Sequence, residues 1–391
     1  MPGALRQAID ATTAAMLRAR GSHKWTAPGP DGLGAAVAEM DFGAAPPVLE
    51  ALARLSADAA FGYLPPRLAG ELAAACAQFQ QRRYGWEVDP AQIHHVPDVI
   101  KAVEIAITHF SRPGSPVILP TPAYMPFLVV PGLLGREIIQ VRMRDADGFF
   151  TLDLDRIEDA FRAGGHLLIF CNPYNPLGRV FTTAEMAQLT DVVARHGGRV
   201  FADEIHGPLV YPGKRHVPYA STSDAAASHS LTATSASKAW NLPGLKCAQV
   251  ILANEPDRRR WEQMGFLASH GASNPGVVAN IAAFRHGEAW LDEILDYLDE
   301  SRHLLAGLLG ARQPQVRYRP PDGTYLAWLD CTAMHLRRSP GELVADRAHV
   351  TVVDGPAFGA GGAGAFRLNF ATPHAILTEM VQRVAAVLRP G

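Results

Sequence analysis

Five apolar runs between residues 116 and 254 each lead into polar residues, and stretches of helical spacing separate most of them. They are PVILPTPAY (Pro116–Tyr124), HLLIFCNPYNPLGRVFT (His166–Thr182), GRVFADEIH (Gly198–His206), SLTATSASK (Ser230–Lys238) and CAQVILAN (Cys247–Asn254). A shorter strand opens Ile93–Phe110, where a turn at Pro97-Asp98 precedes a helix. Strands that are apolar along their whole length are buried on both faces, and helical crossovers set such strands side by side in one direction. The pattern therefore predicts an α/β fold with a mostly parallel sheet covered on both faces by helices. Open sheets of this kind bind ligands beyond the C-terminal ends of their strands. The polar residues Tyr124, Asn172, Asn175, Asp203 and Lys238 fall there.

The flanking segments divide the chain. A short amphipathic N-terminal helix is followed by a Gly- and Pro-dense stretch, His23–Pro47, which reads as an extended arm. Pro46-Pro47 start a helix over Val48–Ala60, FGYLPP then places Tyr63 in a loop, and a further helix runs from about Ala69 to Tyr84. A long amphipathic segment, Val277–Leu309, bridges to a C-terminal unit with strand-like YLAWLD (Tyr325–Asp330) and FRLNF (Phe366–Phe370). With 391 residues the chain can hold more than one unit around a large core. The expected division is 1–47 as helix and arm belonging to a smaller unit, 48–286 as the large unit, and 287–391 as the C-terminal α+β unit.

Composition narrows the function classes. A net charge of −2 gives no basic field for nucleic acid or an anionic membrane. No helix-turn-helix segment or basic patch supports a stand-alone transcriptional regulator. No apolar run approaches the roughly 20 residues that span a bilayer, and Arg6, Asp10 and Arg18 interrupt any signal-peptide core. Cys76, Cys171, Cys247 and Cys331 lack metal-ligand spacing and read as reduced core thiols of a cytoplasmic protein. Gly359, Gly361 and Gly364 formally match G-x-G-x-x-G, but a strand follows them where a dinucleotide site needs a helix. A flexible glycine loop is the expectation there.

The chemistry centres on SASKAWNLPGLK, Ser235–Lys246. A lysine in a Ser-rich turn, with a second cation eight residues on, can form a Schiff base with an aldehyde cofactor and hold its phosphate. Pyridoxal 5′-phosphate needs that lysine, an acid at its pyridine nitrogen, donors to its phenolate and a phosphate cup. Asp203 offers the acid, while His206 and Asn175 offer the donors. The helix after Pro97-Asp98 offers free backbone N–H groups at Val99 and Ile100 for phosphate. Tyr124 could stack on the ring, and Arg367 could clamp an α-carboxylate with its planar fork. Taken singly, each has an ordinary alternative: a cap, a turn residue, a core aromatic or a structural ion pair. Their order along one chain carries the reading.

That order resembles the fold-type I pyridoxal-phosphate enzymes of the aminotransferase class I/II superfamily. AEMDF near residue 40, FGY at Phe61–Tyr63, TPAYMPF at Thr121–Phe127 and DEIH at Asp203–His206 resemble, more narrowly, the MalY/PatB-type carbon–sulfur β-lyases. The resemblance implies a seven-stranded sheet and a homodimer with shared active sites. It makes Lys238 the Schiff-base lysine, Asp203 the pyridine partner, and Asn175 and His206 the phenolate donors. Ser235, Ser237 and Lys246 would line the phosphate cup, Tyr63 would arrive from a second subunit, Arg367 would bind the substrate carboxylate, and Tyr124 would lie against the cofactor.

The activity implied is α,β-elimination from an L-cysteine S-conjugate or cystathionine to a thiol, pyruvate and ammonia. Lys238 would move the Cα proton, and Tyr124 or Lys238 would protonate the leaving sulfur. Transamination at the same site is the nearest alternative, followed by a biosynthetic enzyme acting on a bulky S-conjugate with elimination or decarboxylation. A regulatory protein that merely holds the cofactor stands last. Three positions depart from the family pattern: Tyr174 where many members carry histidine, Lys246 where many carry arginine, and Ala36 in place of a tryptophan.

Overall fold

A computed structural model of the chain describes residues 3–388; residues 1–2 and 389–391, at the ends of the expected outer units, lie outside it. The central sheet has seven strands: Ile93–Val96 (β1), Val117–Thr121 (β2), Ile138–Arg142 (β3), Leu167–Cys171 (β4), Arg199–Asp203 (β5), Ser230–Thr234 (β6) and Ala248–Ile251 (β7). Their spatial order is β1-β7-β6-β5-β4-β2-β3. Pairings from β3 through β6 are parallel, and β7 runs antiparallel to both of its neighbours. The reversal follows from the connection: the chain between β6 and β7 is spent on the turn that carries Lys238, and no crossover helix fits there.

Both faces of the sheet are covered. Along β4, Leu168 and Phe170 meet Ile157 and Phe161 of the helix Leu154–Arg162 and Met186 and Val193 of the helix Thr183–Arg195. The alternate residues Leu167 and Ile169 meet Val103, Ala106 and Ile107 of the helix Val99–His109. Each such side chain contributes about 1.5–3 kcal/mol on burial, which is why the uninterrupted apolar runs dictate the interior. The sequence reading omitted β3, whose residues are mostly half-buried or exposed because it is an edge strand.

The C-terminal unit is built on an antiparallel sheet of Leu326–Asp330 (β8), Val353–Asp354 (β9) and Ala365–Asn369 (β10), ordered β8-β10-β9. The expected Val277–Leu309 segment is two helices, Asn274–His286 and Glu288–Arg312. They part at Gly287, whose carbonyl accepts the indole N–H of Trp240 at 2.9 Å and where a side chain would strike that indole. The expected N-terminal helix is likewise two short ones, Ala4–Asp10 and Ala14–Ala19.

The arm, expected to be extended, instead opens with the helical turn His23–Thr26 and is anchored. Leu33–Gly34 pairs in parallel with Val350–Thr351, and the buried Lys24 ammonium meets Asp41 at 3.0 Å. Trp25 donates its indole N–H to the same carboxylate at 2.8 Å. The glycine run is a close-wrapped turn and not a loose loop: Gly359, Gly361 and Gly364 have φ of +83°, +87° and +79°, and Gly355 packs its Cα against the Gly362 carbonyl.

Candidate active site

A cavity of about 180 Å³ opens beyond the C-terminal ends of the parallel strands, walled on its other side by the arm at Ala38. Its floor is set by strand register. Cys171 at the end of β4 pairs with Asp203 at the end of β5, and Asp203 pairs with Ala233 just before the turn to Lys238. The sheet therefore delivers an acid and a lysine to adjacent strand ends.

Lys238 lines the cavity, and its Nζ donates to the Ala38 carbonyl at 3.1 Å. Burial, reinforced by the Arg367 charge, pulls its amine down to about 8, against the opposing pull of Glu39 and Asp203. An amine so depressed is far more available as a nucleophile or base than a surface lysine. Asp203 is buried and its Oδ1 accepts the Ile205 N–H at 3.1 Å. Burial pushes its carboxyl up to about 7, and no cation in the described residues forms an ion pair with it. A charged ring nitrogen placed against it would supply the missing partner.

His206, buried three residues on, is held neutral: burial first, then the Lys238 and Arg367 charges, bring it down to about 3. Its Nδ1 is buried without a hydrogen-bond partner. Such an orphan needs a ligand or water to satisfy it. Asn175 and Tyr124 line the same cavity; Tyr124 stands edge-on to Phe127, and burial raises its phenol. Among the described residues, Arg367 is buried without a carboxylate in ion-pair reach. Its Nη1 donates to Asn175 Oδ1 at 2.9 Å and its Nη2 to the Ala36 carbonyl at 2.8 Å, while its Nε is buried and unpartnered. Burial pulls it down to about 10, which leaves it cationic at neutral pH. An unpaired buried guanidinium is costly unless an anion joins it.

At the other end, Val99 and Ile100 open the helix Val99–His109 toward the cavity, beside Ser237 and Lys246. Asp98 caps that helix by accepting the Lys101 N–H at 2.8 Å, and its second oxygen takes Lys246 Nζ at 2.8 Å. Helix dipole, open N–H groups and an adjacent ammonium make an anion site.

Three expected residues do not line the cavity: Arg367, which reaches it only through Asn175, Ser235 and Tyr63. Ser235 donates its hydroxyl to the Cys247 carbonyl at 2.7 Å and accepts the Ser237 N–H at 3.0 Å, so it shapes the turn and does not face a phosphate. Tyr63 is 96% exposed, away from the cavity of its own chain. The position that departs from the family pattern at Tyr174 is a packing position, its hydroxyl donating to the Pro120 carbonyl at 2.5 Å. The sequence reading missed the Ala36 and Ala38 carbonyls, Tyr325, whose hydroxyl donates to Ala38 at 2.9 Å, and Asn369. Backbone carbonyls leave no compositional trace; the spacing of Asn369 two residues after Arg367 was the available signal.

The donor set fits pyridoxal 5′-phosphate: a depressed lysine, an unpaired buried acid, an orphaned imidazole nitrogen and a helix-terminal anion site surround one cavity. The model of the family "Aminotransferase class I and II" matches residues 31–384. A Corynebacterium glutamicum cystathionine beta-lyase is 40% identical over 95% of this chain and 98% of its own length. The cystathionine beta-lyase PatB of Bacillus subtilis is 33% identical over 90% of this chain and 91% of its own. Cystalysin from Treponema denticola, whose crystal structure contains pyridoxal 5′-phosphate, superposes with a TM-score of 0.91 at 27% identity, covering 97% of this chain and 98% of that one. The chain belongs to the aminotransferase class I and II family.

Proposed function

We propose that this protein is a pyridoxal-phosphate-dependent carbon–sulfur β-lyase, acting on an L-cysteine S-conjugate or cystathionine by α,β-elimination to a thiol, pyruvate and ammonia. The observation that carries the reading is the depressed Lys238 amine in one cavity with Asn175, to which the buried Arg367, without a carboxylate partner among the described residues, is hydrogen-bonded. An amino acid that puts its carboxylate on Arg367 brings its Cα toward Lys238.

When bound, the cofactor supplies an electron sink for the charge left at Cα. Asp203 holds the ring nitrogen's proton, and Asn175 with neutral His206 addresses the phenolic oxygen. Val99, Ile100, Ser237 and Lys246 take the phosphate. Arg367 fixes the substrate carboxylate, and Lys238 takes the Cα proton as general base. Tyr124, a phenol kept protonated by burial, or Lys238 itself, donates a proton to the leaving sulfur. Residues 48–286 form the cofactor-holding unit in this reading, and 1–47 with 287–391 the smaller one.

A homodimer completes the site by presenting the partner copy's Tyr63. The exposure of Tyr63 (96%) beside Phe61 (66%), Phe266 (76%) and Leu267 (67%) supports that part. Four buried free thiols support a reducing, cytoplasmic setting.

Incubation of the purified holoenzyme with L-cystathionine tests the activity. Pyruvate and thiol should appear in equal amounts with no keto acid added. Turnover that requires a keto-acid acceptor would replace the lyase reading with transamination.

A further inference from the structure

Two neighbouring side chains on one face of β10, Arg367 and Asn369, both engage the arm. Asn369 is fully buried and spends both amide donors there. Its Nδ2 donates to the Val37 carbonyl at 2.6 Å and to the Glu39 carbonyl at 2.7 Å, while its Oδ1 accepts the Ala371 N–H at 2.7 Å. Its backbone N–H donates to the Ala35 carbonyl at 2.9 Å. The carbonyls of residues 35, 37 and 39 are thus all taken by Asn369.

The two intervening carbonyls each accept from a cation. Ala36 accepts from Arg367 Nη2 at 2.8 Å, and Ala38 accepts from Lys238 Nζ at 3.1 Å and from the Tyr325 hydroxyl at 2.9 Å. One asparagine therefore sets the direction of the only two arm carbonyls that touch the site's cations among the described residues. Arg367 is held at one end by Asn175 and at the other by Ala36, and its Nε is buried without a partner.

We propose that Asn369 is a positioning residue: through the arm carbonyls it aims the Arg367 guanidinium and the Lys238 amine at the substrate. This rests on the reading that Arg367 takes the substrate carboxylate, and not on the fate of the β-substituent. L-alanine, which has no leaving group on Cβ, is therefore the probe.

The experiment titrates holoenzyme with L-alanine, following the cofactor absorption, for wild type, Asn369→Ala, Asn369→Asp and Arg367→Lys. Asn369→Asp keeps the size and the acceptor for Ala371 while removing both donors. Misplacement of a binding group by about 1 Å costs up to roughly 100-fold, so both Asn369 variants should bind L-alanine ten- to a hundredfold more weakly. In turnover KM should rise by more than kcat falls. A purely structural residue would lower cofactor content or thermal stability and leave the dissociation constant of the folded fraction unchanged. Folded Asn369 variants that bind L-alanine like wild type, while Arg367→Lys does not, would overturn the proposal. Wild-type affinity in Arg367→Lys would instead overturn the carboxylate reading. If neither Asn369 variant folds, hydrogen exchange in ligand-free wild-type holoenzyme decides: slow exchange over Ala35–Asp41 is expected, and exchange at the rate of a free loop refutes the clamp.

Discussion

Arg367 Nη1 donates to Asn175 Oδ1 across 2.9 Å, joining a strand of the C-terminal unit to the loop that follows β4. The guanidinium and the amide are thereby registered to each other, although 192 residues separate them in sequence.

Replacing Arg367 should show this most strongly. Lysine offers a point charge without the fork, and truncating a buried charged partner costs about 2–5 kcal/mol. Arg367→Lys should therefore lower kcat/KM by roughly 30- to several-thousand-fold, mostly through KM, as steady-state kinetics will report. Asn175→Ala should lower it less, because the guanidinium keeps its Ala36 contact.

Asp203 gives a pH-dependent prediction for the cofactor-free chain. Burial raises its carboxyl from the usual range to about 7, so the folded state binds a proton that the unfolded state has released. Its contribution is fully present below about pH 4 and is lost as pH rises through 7. A three-unit shift corresponds to about 4 kcal/mol at most. Asp203→Asn without cofactor should gain stability over wild type at pH 8 and little at pH 4, by urea denaturation. With cofactor the asparagine variant should lose most of its turnover, since no carboxylate then faces the ring nitrogen.

Asp98 both caps the helix at Val99 and neutralises Lys246. Asparagine caps equally well, so Asp98→Asn should keep the helix and release the Lys246 charge for phosphate. The half-exposed pair is worth no more than about 1 kcal/mol, which predicts up to a fivefold gain in cofactor affinity. Fluorescence titration of the apoprotein with pyridoxal phosphate measures it.

Much of this was legible beforehand. Lys238, Asp203 and Asn175 could be placed because each lies at or just past the end of a strand buried at nearly every position, and such strands announce both themselves and their C-terminal ends. The edge strand β3 was not legible, since an edge is only partly buried and reads as mixed sequence. Ser235 looked like a phosphate ligand because its hydroxyl sits beside the lysine, yet a tight turn claims that hydroxyl for the Cys247 carbonyl. The sequence of the arm reads as extended. Its grip comes from Asn369 and Asn241, both distant in sequence, and from Lys24 within the arm itself, all using backbone carbonyls that no motif records.

The central claim is that Lys238 moves the Cα proton, and chemical rescue tests it most directly. Lys238→Ala protein, loaded with pyridoxal phosphate, is given L-cystathionine with and without ethylamine, and pyruvate and thiol are followed together. No product without the amine, and partial recovery that rises with its concentration, is the predicted result. Pyruvate at the wild-type rate from Lys238→Ala in the absence of amine would contradict the account.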